Sequence, residues 1–557
     1  MKNSKLEKIL SGISALAVWI ILAIKGSGPI FSDELLYTDI GLNNYQIFSY
    51  GNRYFHVYLQ KLFMSLAPTP LTGVKIFWGF LVALTGLLVY WNARSFFKHS
   101  NPVHGVLAVM IFFSYRFIAE YCGVTSADIT AMMMVIVLLT IYLYYIRSNR
   151  KPQWAVFALG AVVFLSYKTK ETTLFANVIL FGLLFDEDGK FAFKNILTLI
   201  KPFLFGVLAA VWLFILLDTV ILHNPFFAIS PQIFTAVFEN YTYTGGFRKE
   251  PVSYFTTFLL TDLMVPFLLY LLSGVKQYDE KDSPALKVVW LFPLVLALLM
   301  TLNMLKIPWG FIQRFYFPAL PVIAVLAPQF LHFELPKTMK DKISMVTLLL
   351  AGIALVLFLR QTFMAWTISI NWDYGRFVDS IFHPILLCLL LGFILFVRKM
   401  NWLNVIFPTI CIFALLLAPL MYNQKYIFRI PYTTNIFNQE YSSFITYRDQ
   451  IHYSAGMKTY FSISIPTEAN ALSFNRDELS AMFNIYFNGR TSRYNFILGL
   501  QSNNIAGEIT AEKFDYVLLS NADWKMVSAD LVREKEIQQM YMIYPDPAGQ
   551  VILLVKK

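Results

Sequence analysis

Runs of about eighteen or more apolar residues recur from residue 9 to residue 422, and they constrain this chain more than any other feature. Each is long enough to cross a hydrocarbon core of roughly 30 Å as a helix. The composition agrees. Of 557 residues, 57% are hydrophobic and 14% charged, and the mean hydropathy is +0.56, whereas soluble domains run near a quarter charged. The class is a polytopic α-helical membrane protein. The formal charge of +11 does not call for nucleic acid. Lys and Arg sit in short loops between apolar spans, a placement that membrane topology explains without a polyanionic partner. The three cysteines are Cys122, Cys388 and Cys411, the last two within apolar spans. Neither a disulfide framework nor Cys/His metal spacing follows from them.

About thirteen spans are expected, centred from near residue 17 to near residue 412. Basic residues mark alternate turns: Lys2, Lys5 and Lys8 before the first span, then Arg94 and Lys98, Arg147 to Lys151, Lys190 to Lys201, Lys276 to Lys287, Lys337 to Lys342, and Arg398 with Lys399. The positive-inside rule then puts the N-terminus and these turns in the cytoplasm and the C-terminus outside. The N-terminal run from about Ile9 to Ile24 reads as an uncleaved first helix rather than a signal peptide, because the alternation of loop charges requires it. The outer loops are longer and aromatic. In the first, Asn52 to Phe63 has amphipathic helical spacing suited to the membrane interface.

Past residue 422 the composition changes. Tyr460 to Ile465 alternates with period two, and Phe514 to Ser520 and Val551 to Val555 read as buried strands. Arg476 to Phe487 and Ser528 to Met540 carry helical spacing. The expected domains are therefore a transmembrane part, 1–422, and a small extracytoplasmic α/β domain, 423–557.

Several polar groups stand where such a chain would carry chemistry. Asp33 and Glu34 follow the first span, and adjacent carboxylates near a bilayer require solvation or pairing. Either is placed to take a proton from a hydroxyl; a solvated turn is the plain alternative, and Asp39 stands nearby. Glu120 and Asp128 flank the second outer turn, where Asp128 is equally placed to cap the next helix. Lys168 and Lys170, in Lys168-Thr-Lys-Glu171, suit a phosphate as charge-assisted donors, or an internal Lys–Glu bridge. Arg314 breaks the charge rule on the outer side; it fits a lipid phosphate or simple snorkelling. Arg248 lies in a Gly-containing loop able to cover a substrate. His56 and His223 sit in outer loops, but no spacing with Glu34 or Glu120 requires a metal, and no cofactor is expected.

Together these features resemble the GT-C superfamily of membrane glycosyltransferases, in the branch of the aminoarabinose–lipid A transferases and protein O-mannosyltransferases. Asp33-Glu34 looks like that branch's acidic pair, and Glu120 to Asp128 like its second acidic position. Tyr167-Lys-Thr-Lys-Glu-Thr-Thr-Leu looks like its Lys-rich turn, and Arg314-Phe-Tyr-Phe-Pro-Ala-Leu-Pro like its Arg-Tyr-x-x-Pro-x-x-Pro element. Two departures stand out. Leu35 and Leu36 occupy places where the aminoarabinose transferases usually carry an Arg, and the Lys-Pro-Pro segment has no match nearer than Asn52-Arg-Tyr-Phe-His. The resemblance implies a polyprenyl-phosphate sugar donor, a lipid, glycan or protein acceptor, and transfer outside a bacterial inner membrane. It implies Asp33 as base, Glu34 or Asp128 orienting the acceptor, and Lys168, Lys170 or Arg314 at the phosphate. Two rival classes remain from the residues alone, a secondary transporter and a non-catalytic envelope-assembly protein. Charges gathered at the outer helix ends and an appended outer domain favour the enzyme.

Overall fold

The computed structural model describes residues 3–25, 37–38, 40–42, 44–97, 100, 102–114, 127–148, 150–185, 190–233, 264–275, 283–306, 313–332, 459–465, 492–498, 505–545 and 551–557. The chain divides into two compact units. One comprises Met1–Gly26, Gln46–Leu59 and Lys75–Leu420; the other comprises Ser27–Tyr45, Gln60–Val74 and Met421–Lys557. The second unit thus includes two stretches from the first 74 residues as well as the C-terminal region.

Helices build the first unit. Among the described residues they are α1 (Asn3–Lys25), α2 (Tyr54–Leu66), α3 (Pro70–Ser95), α4 (Pro102–Ser114), α5 (Ala127–Arg147), α6 (Gln153–Tyr167), α7 (Phe193–Leu217), α8 (Met264–Val275), α9 (Ser283–Lys306) and α10 (Leu320–Leu326), with the end of α2 and the start of α3 belonging to the second unit. A 3-10 stretch, Phe48–Arg53, leads into α2, and another, Glu171–Leu184, follows α6. Among the described residues, four segments are long and apolar enough to cross a membrane: Lys5–Ile24, Thr72–Ser95, Ala127–Arg147 and Ile196–Leu222. The spans expected near residues 351, 389 and 412 lie outside the described residues.

Helix α5 is central. It is buried almost all round, from Ala127 and Asp128 through Leu143 and Ile146, as a helix apolar on every face must be. Helices α6 and α7 pack most closely of all. A Cβ at Gly160 would strike the Phe203 carbonyl, and one at Gly206 the Phe157 carbonyl, so these two glycines permit a backbone approach that side chains would forbid. The opposite face of α7 exposes Leu197, Leu204, Leu208 and Trp212. Helix α1 exposes a stripe of Leu6, Ile9, Ile13, Leu16, Ile20 and Ile24 while burying Val18 and Leu22. Apolar faces of this extent would be liabilities in water and suit hydrocarbon.

In the C-terminal region of the second unit, the described residues hold five strands: β1 (Thr459–Ile465), β2 (Ser492–Leu498), β3 (Tyr516–Ser520), β4 (Tyr541–Pro545) and β5 (Val551–Lys556). Their order is β2-β1-β3-β5-β4; β1 is parallel to β2 and β3, and β5 is antiparallel to β3 and β4. Val517, Leu518 and Leu519 are all buried, which is why β3 reads as an unbroken apolar run rather than an alternating one. Helices α11 (Ile505–Glu512), α12 (Asn521–Ser528) and α13 (Leu531–Met540) accompany the sheet, and Ile509, Val527 and Ile537 join its core. Ser520 caps α12 by accepting the Asp523 N–H at 3.1 Å, and Asp530 caps α13 through the N–H groups of Val532 and Arg533, each satisfying donors that the first helical turn leaves open.

Candidate active site

The polar centre of the first unit forms where the start of α2, the turn after α6 and the end of α7 meet. Helix α6 ends at Tyr167, and the Lys168 N–H still bonds back to the Phe164 carbonyl at 3.0 Å. The chain then turns, so that Lys168, Thr169, Lys170 and Glu171 present their side chains to different neighbours. The Phe55 N–H at the start of α2 donates to the Lys168 carbonyl at 2.9 Å. Arg53 grips Glu171 with two guanidinium nitrogens, one of them at 3.1 Å, the bidentate form that makes Arg–carboxylate pairs strong. This docks the amphipathic segment that includes α2 onto the Lys-rich turn.

The two lysines of that turn have different environments, although both are only 2% exposed. Lys170 is ion-paired with Asp128, itself 4% exposed. Asp128 lies in the first turn of α5, where the helix dipole also favours a negative charge. Among the described residues, Lys168 makes neither an ion pair nor a side-chain hydrogen bond. Its ammonium lies 5.2 Å from the centre of the Tyr167 ring and feels the charge of Asp218. Burial pulls its pKa down to about 8, and Asp218 opposes that pull. A buried, singly charged donor without a bonded partner is poised to accept an anion.

Asp218 begins a π turn, Asp218–Leu222, that closes α7, and it is fully buried. One carboxylate oxygen accepts the Tyr58 hydroxyl, and the other accepts the Ala228 N–H at 2.7 Å. The Tyr54 hydroxyl accepts the Ile47 N–H at 2.9 Å, and the Tyr54 ring meets Phe227 edge-on. His56 bonds Thr130 on α5 through Nδ1 at 2.8 Å. Burial, the largest influence, holds its pKa down at about 3, so the ring is neutral. His223 stands exposed in the left-handed conformation just past the π turn. Among the described residues, no three His, Cys, Asp or Glu side chains gather in a way that could hold a metal.

Of the residues singled out from sequence, the structure therefore brings Asp128, Lys168 and Lys170 together. Neither lysine makes the internal Lys–Glu bridge; Lys170 and Glu171 pair with distant partners instead. Asp33, Glu34, Asp39, Glu120 and Arg248 lie outside the described residues, and so does the side chain of Arg314. The 3-10 turn that carries Arg314, Gln313–Ala319, packs against α5 and the Glu171–Leu184 segment. Sequence reasoning missed Arg53, Tyr58 and Asp218. The available signal was Asp218 itself, a lone carboxylate in the apolar run Trp212-Leu-Phe-Ile-Leu-Leu-Asp-Thr-Val-Ile-Leu222, since an ionisable residue within a span is a functional candidate by default.

The fold has solved counterparts among membrane proteins that match it over nearly their whole length. In particular, the chain is similar to ArnT from Cupriavidus metallidurans bound to undecaprenyl phosphate, with a TM-score of 0.57 and 13% identity over 100% of this chain and 98% of that one. The apo form of the same ArnT aligns with a TM-score of 0.50 and 14% identity, over 99% of this chain and 98% of that one. No protein-family model and no curated relative matches the sequence. At such identities the likeness fixes the fold and nothing finer.

Proposed function

We propose that this protein is a membrane glycosyltransferase that moves a sugar from a polyprenyl-phosphate carrier to an acceptor hydroxyl on the extracytoplasmic side, with inversion. The observation that carries the reading is the end-to-end likeness to an ArnT structure that holds undecaprenyl phosphate. Lys168, buried and without an ion-pair partner among the described residues, supports it, because it lies in the turn that resembles the family's Lys-rich element. Around this activity we place thirteen spans, a cytoplasmic N-terminus, an external 423–557 domain and a bacterial inner membrane.

In this mechanism the lipid tail lies between helices and its phosphate meets Lys168 and Arg314. Asp33 takes the proton of the acceptor hydroxyl as that oxygen bonds the anomeric carbon. The bond from that carbon to the phosphate oxygen breaks, and the electron pair leaves with polyprenyl phosphate. The two cations stabilise the charge that develops there. One displacement inverts the centre. Lys170 and Asp128 hold each other, so Glu34, Glu120 and Arg248 are left to orient the acceptor and sugar. The donor is already activated by its phosphate, so the scheme needs no redox or nucleotide cofactor.

The test is release of polyprenyl phosphate from polyprenyl-phosphate sugars by the reconstituted protein. Asp33→Asn is expected to lower turnover by about 10²- to 10⁴-fold, the scale of a lost general base, while lipid binding persists. Wild-type turnover in that variant removes Asp33 from the role. Absence of release with every donor tried removes the activity.

A further inference from the structure

Among the described residues, the charges around Lys168 cancel in pairs, with one exception. Arg53 is matched by Glu171 and Lys170 by Asp128. On α2, burial drives the phenols of Tyr54 and Tyr58 upward and leaves them neutral, and His56 is neutral as well. Among the described groups, Asp218 is the charge that acts on Lys168. Its two oxygens accept from Tyr58 and from the Ala228 N–H, a pattern in which both serve as acceptors. Within one turn of α2, Phe55 bonds the Lys168 carbonyl and Tyr58 bonds Asp218. That single turn therefore fixes both the lysine's backbone and its countercharge. The contrast with Lys170 is informative. A direct pair consumes a cation's hydrogen-bonding capacity, whereas a carboxylate beyond ion-pair range sustains the charge and leaves the donors open.

We propose that Asp218, held by Tyr58, is the positioning residue for Lys168, keeping that ammonium charged in its buried place until an anionic phosphate becomes its partner. The inference rests on the donor reading above. Removing the Asp218 charge removes the one influence that opposes burial, so the lysine loses its proton at lower pH. Substitution at Asp218 should therefore change the pH dependence of phosphate binding more than binding at acid pH.

The experiment measures undecaprenyl phosphate binding to the full-length protein in nanodiscs between pH 6 and 9. Wild-type affinity is expected to fall above about pH 8, where Lys168 deprotonates. Asp218→Asn is expected to bind within about twofold of wild type at pH 6 and about fivefold more weakly at pH 8, a midpoint about one unit lower. Asp218→Glu should retain the wild-type midpoint, and Tyr58→Phe should shift it part of the way. Tyr58→Phe alone carries the test if Asp218→Asn does not accumulate. Ionisation of the lipid phosphate is common to all variants, so differences between profiles belong to the protein. Midpoints that coincide in wild type and Asp218→Asn, or a loss that is equal at every pH, overturn the positioning role. Wild type that binds at no pH overturns the donor reading, and this inference with it.

Discussion

Replacing Lys170 by Met leaves Asp128 as a buried carboxylate without its counterion. The two side chains are 3% and 5% exposed, so water screens the pair little and the discount that applies to surface ion pairs does not arise. Removing one partner of such a pair costs about 3–5 kcal/mol, mostly because the remaining charge is stranded. Asp128→Asn strands the lysine in turn, at a similar cost. The double variant strands neither, and well-packed neutral replacements of buried pairs are often close to neutral. A double-mutant cycle should therefore show a coupling larger than either single cost, above about 3 kcal/mol, with the double variant more stable than either single one. Equilibrium unfolding in mixed micelles measures the cycle. Single variants within about 0.5 kcal/mol of wild type, without coupling, would refute the ion-pair account. Turnover of the double variant adds a second reading. If Asp128 serves only to hold Lys170, turnover recovers along with stability.

Lys168→Ala should raise the donor KM by about 10- to 100-fold, the scale of a lost hydrogen bond to a charged group, with the fold intact; an unchanged KM removes it from the phosphate site. His56 ties stability to pH. Its folded pKa is depressed to about 3 from an ordinary 6.5, so below pH 6.5 the unfolded chain binds the extra proton. Stability should be complete above pH 6.5 and fall by about 1.4 kcal/mol per unit as the pH drops toward 3; His56→Gln should remove that component, and an unaltered acid slope would contradict it. Gly160→Ala should cost about 1–3 kcal/mol by forcing α6 off α7, whereas Gly12→Ala, which meets nothing within 4 Å, should be harmless; equal effects in thermal unfolding would refute the contact. A reporter fused after Lys557 should appear outside the membrane, and a cytoplasmic signal would overturn the topology.

The elements readable in the sequence were those whose pattern is local. Apolar runs gave α3, α5 and α7, and amphipathic spacing from Asn52 to Phe63 gave α2 close to its observed bounds. Alternation or unbroken hydrophobicity gave β1, β3 and β5. Strand β2, Ser492-Arg-Tyr-Asn-Phe-Ile-Leu, was hidden by mixed polarity, and β4 by its direct junction with α13. The Lys-rich turn was legible as a cationic oddity, but what distinguishes its lysines was not. Asp128 is 42 residues from Lys170, Glu171 is 118 from Arg53, and Asp218 is 160 from Tyr58. No local period records partners at such separations; only the meeting of α2, α5, the turn after α6 and the end of α7 joins them.

Native mass spectrometry of the lipid that copurifies with the protein tests the central claim most directly, that a buried lysine waits for a prenyl-linked phosphate. Wild type should carry a polyprenyl phosphate or its sugar adduct, and Lys168→Met should lose most of that mass peak while keeping ordinary phospholipids. A wild-type protein that carries only ordinary phospholipids, even when purified with polyprenyl phosphate added, would contradict the account.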